Sequence, residues 1–250
     1  MNRLLLTLTL VATFTASAFA QKAQPQPKSQ EEVNAILAVQ DAPDPNARIA
    51  AAQKLLKDFK DTEFKEFANY MMMLSYQQLN DFENMLIFGD ETLKDNPDNV
   101  GVLLQLSFAI PTRTREFDLD KEEKLSKAED YAKRAITLIP NLAKMDPNMP
   151  DEEWLNTKKD FMSQANESLG LIDIKRENYD AAIEHLTKAL ELASQQTGET
   201  FYHLANAYNK AGKKDMALDA VNKSIAAGGM QMVDGKNAAE ALKQEIEGSN

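Results

Sequence analysis

The chain has 250 residues, no cysteine, and 39 acidic against 28 basic side chains, for a formal net charge of -11. Without cysteine there is no disulfide framework, no cysteine zinc site, no thiol nucleophile and no lipidated cysteine. The acidic balance argues against nucleic acid as a partner, because phosphate contacts need clustered bases.

The first twenty residues contain one base, Arg3, and no acid. Leu4 to Phe14 is an apolar run relieved only by threonine, and Ala18-Phe19-Ala20 places small residues where a signal peptidase reads. Residues 1–20 are therefore expected to be a secretory signal peptide, with a mature start at Gln21 and a periplasmic or extracellular location. The run falls short of the roughly 20 residues of a membrane span, so no stable membrane insertion is expected after cleavage. Residues 21–30 are rich in Gln, Pro and Lys and are expected to form a flexible leader.

From Ser29 the pattern turns helical. Ser29 with Glu32 predicts a capping box, and Ala35, Ile36, Leu37 and Val39 form a short apolar helix that Pro43 and Pro45 close. Residues 46–60 predict a helix with Ala51, Leu55, Leu56 and Phe59 on one face. The rest of the chain spaces apolar residues by three and four, with no alternating strand segment. The fold class is thus all-α.

Internal repeats set the architecture. Leu169-Gly170, Tyr179, Ala182, Leu186 and Ala189 each lie 35 residues before Leu204-Ala205, Lys214, Ala217, Val221 and Ser224. Met72-Met73 and Tyr76 lie 34 before Leu106-Ser107 and Ile110, whereas Thr92 and Pro97 lie 43 before Ala135 and Pro140. The longer spacing marks an insertion, placed at 111–119. A period near 34 with two helices per unit signals a helical solenoid. These residues resemble the tetratricopeptide repeat: Leu-Gly, an aromatic, a turn Gly or Asn (Gly212, Asn80), Ala, a large residue and a closing Pro. The resemblance covers repeats 66–99, 100–140, 163–196 and 198–229 and implies a superhelix of stacked hairpins spanning 31–250. A terminal capping helix is expected at 234–247, with Asp234 as its N-cap and Ala238, Leu242 and Ile246 inward. Small residues (Gly170, Ala182, Ala205, Ala217) are expected where helices approach closely, and large ones (Phe82, Tyr179, Leu186, Tyr208) in the gaps between.

Catalytic signatures are lacking. The two histidines, His185 and His203, share no metal-ligand spacing, and there is no nucleophile elbow, phosphate loop or dinucleotide fingerprint. No metal, cofactor or enzymatic activity is expected. Met72, Met73 and Trp154 are expected to pack in the core. Asp120 with Glu123 predicts a cap for the helix that ends near Ile139. Arg113 and Arg115 in the insertion are a possible anion contact; the alternative is a solvated loop in which they pair with Glu116 or Asp118.

The resemblance further implies a concave surface lined by the first helix of each repeat. Mapped onto this sequence, that lining is Phe67, Tyr70 and Leu74, then Leu104 and Phe108, then Glu167, Leu171 and Ile174, then Tyr202, Asn206 and Asn209. Tyr70, Leu74, Leu104, Phe108, Leu171, Tyr202 and Asn206 are the candidate partner-binding residues. No lysine stands at the inward positions of Tyr70, Leu104, Glu167 or Tyr202, so a carboxylate clamp is not expected. An apolar, aromatic lining suits a partner's amphipathic helix or extended peptide; the alternative is that the protein's own residues fill it. The function expected is a non-catalytic interaction scaffold in the cell envelope. A self-assembling structural subunit, or a helical enzyme without a recognisable motif, are the rival readings.

The register has a direct consequence for stability. Replacing Ala182 or Ala217 by Leu is expected to destabilise the protein by about 1–3 kcal/mol through overpacking. Thermal or urea melts in which both variants match the parent would show the register to be wrong.

Overall fold

The computed structural model describes residues 25–144, 146–232 and 235–248. The expected signal segment 1–20, residues 21–24 of the leader and the N-cap assigned to Asp234 lie outside the described residues. Eleven α-helices occur among the described residues: α1 (Gln30–Gln40), α2 (Pro45–Asp58), α3 (Lys65–Gln78), α4 (Phe82–Asp95), α5 (Val100–Arg113), α6 (Lys121–Leu138), α7 (Asp151–Lys175), α8 (Tyr179–Leu192), α9 (Gly198–Lys210), α10 (Lys214–Ala226) and α11 (Ala238–Gly248). The only pairing of strand type among them is an isolated bridge between Gln231 and Asn237. The described residues form two compact units: one holds those up to Leu103 together with those between 141 and 149, the other Leu104–Pro140 and those from Pro150 onward.

In the first unit, Ser29 caps α1 by accepting the Glu32 N–H at 3.1 Å, and Glu32 reaches back to the Lys28 N–H at 2.6 Å. The second arm of this capping box lands one residue earlier than usual, which orders the end of the supposed leader. Gln26 N–H donates to Glu63 at 3.0 Å and the Lys28 ammonium to the Asp61 carbonyl at 2.5 Å. Residues 26–30 are therefore tied down, a correction to the flexible leader. Pro45 does more than close α1: it opens α2 behind the Asp44 cap, where its missing N–H costs nothing. The face of α2 that is fully buried is Ile49, Ala52 and Leu55, with Ala51, Leu56 and Phe59 packed at its margin. These side chains join Val33, Ile36, Val39, Phe64, Ala68 and Met72 in one apolar cluster. Met72 and Met73 are buried, and Tyr76 stacks on Phe88 with ring centroids 5.3 Å apart. The link from α4 to α5 is pinned through Glu66, which accepts from the side-chain amides of Asn96 (2.6 Å) and Asn99 (3.1 Å).

The second unit carries the tightest helix contacts. A Cβ placed on Gly170 of α7 would stand 2.5 Å from Leu186 Cγ of α8, so only glycine lets these helices meet. Ala182, Ala205 and Ala217 are fully buried, as the close-approach reading requires. Buried serines replace apolar side chains at other crossings: Ser107 bonds Ser168 at 3.1 Å between α5 and α7, and Ser224 Oγ donates to the Gly198 carbonyl at 2.6 Å. Trp154 is buried in the N-terminal part of α7, which starts well before residue 163 and runs unbroken for 25 residues. At the C-terminus the buried stripe of α11 is Ala239, Leu242 and Ile246. Ala239 thus replaces Ala238 in the expected inward set, because the helix begins only at Ala238 and its first buried position falls one residue later.

The insertion differs from its sequence expectation. Helix α5 continues through Pro111 to Arg113, and Pro111 and Thr114 are buried. Proline withholds one helical N–H, but Thr114 restores the end of the helix by donating both its N–H (3.0 Å) and its hydroxyl (2.8 Å) to the Ile110 carbonyl. The loop proper is therefore residues 114–120, and its first residue belongs to the core. Asp120 forms no side-chain cap; its carboxylate pairs with Lys124 at 2.8 Å instead.

Three hairpin turns share one geometry. Asn80, Glu177 and Gly212 have φ of 57°, 63° and 72°. In each, the next residue's N–H returns to the carbonyl five positions before it: Asp81 to Tyr76, Asn178 to Asp173, Lys213 to Tyr208, at 2.8–2.9 Å. This is the bond pattern of a helix ended by a left-handed residue. Such a conformation suits Gly and Asn and strains Glu. Gly212→Ala is expected to lower stability by about 1 kcal/mol, whereas Glu177→Gly should leave it unchanged or raise it by up to about 1 kcal/mol. Chemical denaturation of the two variants checks this pair of opposite signs.

Candidate functional site

Within the second unit the first helices of successive pairs face a cleft of about 410 Å³. Its walls are Leu171, Ile174 and Lys175 of α7, and Tyr202, His203, Asn206 and Lys210 of α9. The end of α5 contributes Pro111 and Thr112, the loop after it Glu116, and Glu177 and Tyr179 stand at the turn into α8. Met230, which follows α10, closes the remaining side. The spacing of Leu171 to Ile174 and of Tyr202 to Asn206 puts each pair on one face of its helix.

Three of the seven candidate residues, Leu171, Tyr202 and Asn206, meet here. Leu171 is itself only 6% exposed, and Leu104 is buried at 2%. Both give their side chains mainly to packing, so neither offers the open area expected of it. Phe108 is half-buried in the second unit; Tyr70 and Leu74 are half-buried in the first. Burial pushes the hydroxyls of Tyr70 and Tyr202 above the ordinary tyrosine range, which keeps them neutral donors. Sequence reasoning missed Tyr179, Glu177, Lys210 and Met230. The first was assigned to gap-filling, and the other three lie on turns, helix ends and loops to which a first-helix register assigns no role.

Two of the cleft's charged side chains are engaged. Lys175 donates to the Thr114 carbonyl at 2.8 Å, and Glu116 pairs with Lys121 at 3.3 Å. Arg113 ends α5, and Arg115 offers its backbone N–H to Asp118 at 3.2 Å. The Arg115 N–H and the Lys124 ammonium beside Asp118 hold its carboxyl below the usual range. His185 is bonded to Asp173 at 2.8 Å and ties α8 to α7. No group of three or more potential metal-binding side chains occurs among the described residues.

Deeper in the cleft wall, one turn before Leu171, lies the carboxyl of Glu167. Its Oε1 and the Nε2 of His203 are buried without hydrogen-bond partners in the structure. Burial pushes Glu167 above the usual carboxyl range, opposed by the nearby His203 ring and the Thr200 hydroxyl. His203 Nε2 stands 3.8 Å from Glu199 Oε1, and the ring holds that carboxyl below its usual range.

Residues 161–227, which supply most of this cleft, match the family model of the tetratricopeptide repeat. No curated protein matches the chain in sequence. Among solved structures, a thermophilic tetratricopeptide-repeat protein of Thermus thermophilus aligns with 18% identity over 87% of this chain and 98% of its own, with a TM-score of 0.52. MamA of Desulfovibrio magneticus aligns with 15% identity over 81% of this chain and 97% of its own, with a TM-score of 0.60. PilW, a type IV pilus biogenesis factor, aligns with 17% identity over 87% and 85%, with a TM-score of 0.60. The fold is tetratricopeptide-like. The part of α7 from residue 161 onward and the whole of α9 fall within the matched residues, and both line the cleft. No described helix is long and apolar enough to cross a membrane.

The raised Glu167 carboxyl sets a pH dependence. Its unfolded-state value is the ordinary one, so folding favours the protonated form. Its contribution to stability is fully present below the ordinary carboxyl pKa and is lost as pH rises through the raised one. Glu167→Gln is therefore expected to raise the melting temperature near neutrality and to lose that advantage at acid pH, below the ordinary carboxyl value. Melting curves that show the same shift at both pH values would remove the burial argument.

Proposed function

We propose that this protein is a non-catalytic interaction scaffold of the cell envelope, and that its second unit holds a peptide or helix of a protein partner in the cleft between α7 and α9. The observation that carries this reading is the convergence of Tyr202 and Asn206 with Ile174 and Tyr179, over the packed Leu171, on one open concavity of mixed apolar and polar lining. An aromatic pair beside an amide and a lysine suits a peptide: rings cover apolar side chains while Asn206 and Lys210 meet backbone carbonyls or acidic groups. The half-buried Phe108 of the same unit belongs to this reading, and Tyr70 and Leu74 are assigned a similar role on the first unit's own surface. Similar folds in PilW, a pilus biogenesis factor, and in MamA are consistent with a scaffold. Export rests on the Leu4–Phe14 run and Ala18-Phe19-Ala20.

One preparation tests both halves. The protein is crosslinked in its native cells, recovered from the envelope fraction and sequenced from its N-terminus. A start at Gln21 and a crosslinked partner are expected, with Tyr202→Ala/Asn206→Ala reducing partner yield about tenfold or more, the loss of one to two interface anchors, while the far-UV spectrum stays helical. An intact Met1 defeats export, and unchanged yield defeats the cleft.

A further inference from the structure

The loop after α5 presents the two most exposed of the large apolar side chains among the described residues. Phe117 is 92% and Leu119 107% exposed. Exposure alone means little on a loose loop, but this one is built. Asp118, between them, accepts from the Arg115 N–H (3.2 Å) and from the Lys124 ammonium (3.2 Å). The Lys121 N–H donates to the Asp118 carbonyl at 3.0 Å, and Lys121 pairs with Glu116 on the loop's other side. The Lys175–Thr114 bond anchors the whole turn to α7. A phenylalanine and a leucine held outward by a bonded turn have little ordering entropy left to lose on docking.

We infer that Phe117 and Leu119 are the knob of a two-fold self-association, inserted into the α7–α9 cleft of a second copy of this chain. Two properties point to a second copy. The first is placement. Glu116 lines the cleft and Phe117 is its neighbour, so knob and hole lie side by side on one unit. An isologous pair requires such adjacent, self-complementary patches, because each copy gives its knob and receives the other's close to the axis. The second is charge. The chain carries a net -11, so most of its surface repels a second copy. The loop from Arg113 to Lys121 does not, since its three acids (Glu116, Asp118, Asp120) are matched by three bases (Arg113, Arg115, Lys121). The cleft is balanced as well, with Lys175 and Lys210 against Glu116 and Glu177. Knob and hole are thus locally neutral surfaces on an acidic molecule, apolar at their centres, where like-charge repulsion does not oppose contact. The same balance disfavours an anionic membrane as the occupant, since the knob offers no excess of bases.

This inference is independent of the envelope partner, though both use the same cleft. A dimer of this kind covers the partner site, and a partner peptide must displace the knob to enter. The test is sedimentation equilibrium of the purified protein across a range of concentrations. A monomer–dimer equilibrium is expected, and Phe117→Ser/Leu119→Ser should abolish the dimer; both side chains being exposed in the single chain, the melting temperature should match the parent's at concentrations where the parent is monomeric and fall below it only where the parent is dimeric. Because the chain has no cysteine, Leu119→Cys with Asn206→Cys supplies a second reading: oxidation should yield a covalent dimer by mass. A monomer at every concentration, a dimer that survives the serine pair, or open-ended oligomers instead of a closed pair would each overturn the proposal.

Discussion

Everything in the second unit hangs on the distance at which α7 meets α8. Leu186 is fully buried against the bare backbone of Gly170, in a space where a single methyl group would sit 2.5 Å from its Cγ. A close-packed crossing leaves each helix pair with a second apolar face uncovered, and a hairpin cannot fold that face away by itself. The next pair must cover it, which fixes α9 and α10 on α8 and then α11 as the terminal cover. The ion pairs are secondary to this. Arg176 reaches Glu129 at 2.6 Å and Glu122 at 2.5 Å, but partly exposed pairs of this kind contribute at most about 1 kcal/mol. They orient α6 against α7 rather than hold them together.

The cleft follows from the same packing. Because the small residues lie on the crossing faces, the larger side chains of the first helices are left to point inward, and Leu171, Tyr202 and Asn206 share one wall. Packing also explains the buried polar residues nearby. Glu167 and His203 stand where the stripe of inward positions passes under the wall, so their polar atoms are enclosed along with the apolar ones. A carboxyl in such a place is tolerated because His203 and Thr200 favour its charged form in part.

Much of this was legible in the sequence, and the failures have physical causes. The spacing of Leu169-Gly170 to Leu204-Ala205 located the helix crossings because steric demand at a close approach admits few residue types. Met72 and Met73 followed from the register of the repeat they resemble, and both are buried, as is Trp154. The limits of the loop did not. Proline at 111 signals a helix end, but buried Thr114, bonding back to Ile110, outweighs it. The turn at Glu177 was also hidden, since nothing in a glutamate announces a left-handed backbone; only its register with Gly212 and its bonds reveal it. Burial of Leu104 and Leu171 was lost for another reason: a helical wheel assigns a direction to a side chain but not the depth of what lies over it.

The glutamate at the α7–α8 turn has one more consequence, which is genetic. Either glutamate codon becomes a glycine codon by a single nucleotide change, and glycine is the residue that this left-handed backbone, φ 63°, accommodates without strain. A more relaxed turn therefore lies one mutational step from the present chain. What that step would remove is a carboxylate at the rim of the cleft, so stability and the surface offered to a ligand are set against each other at a single codon, and selection on either property can be followed there.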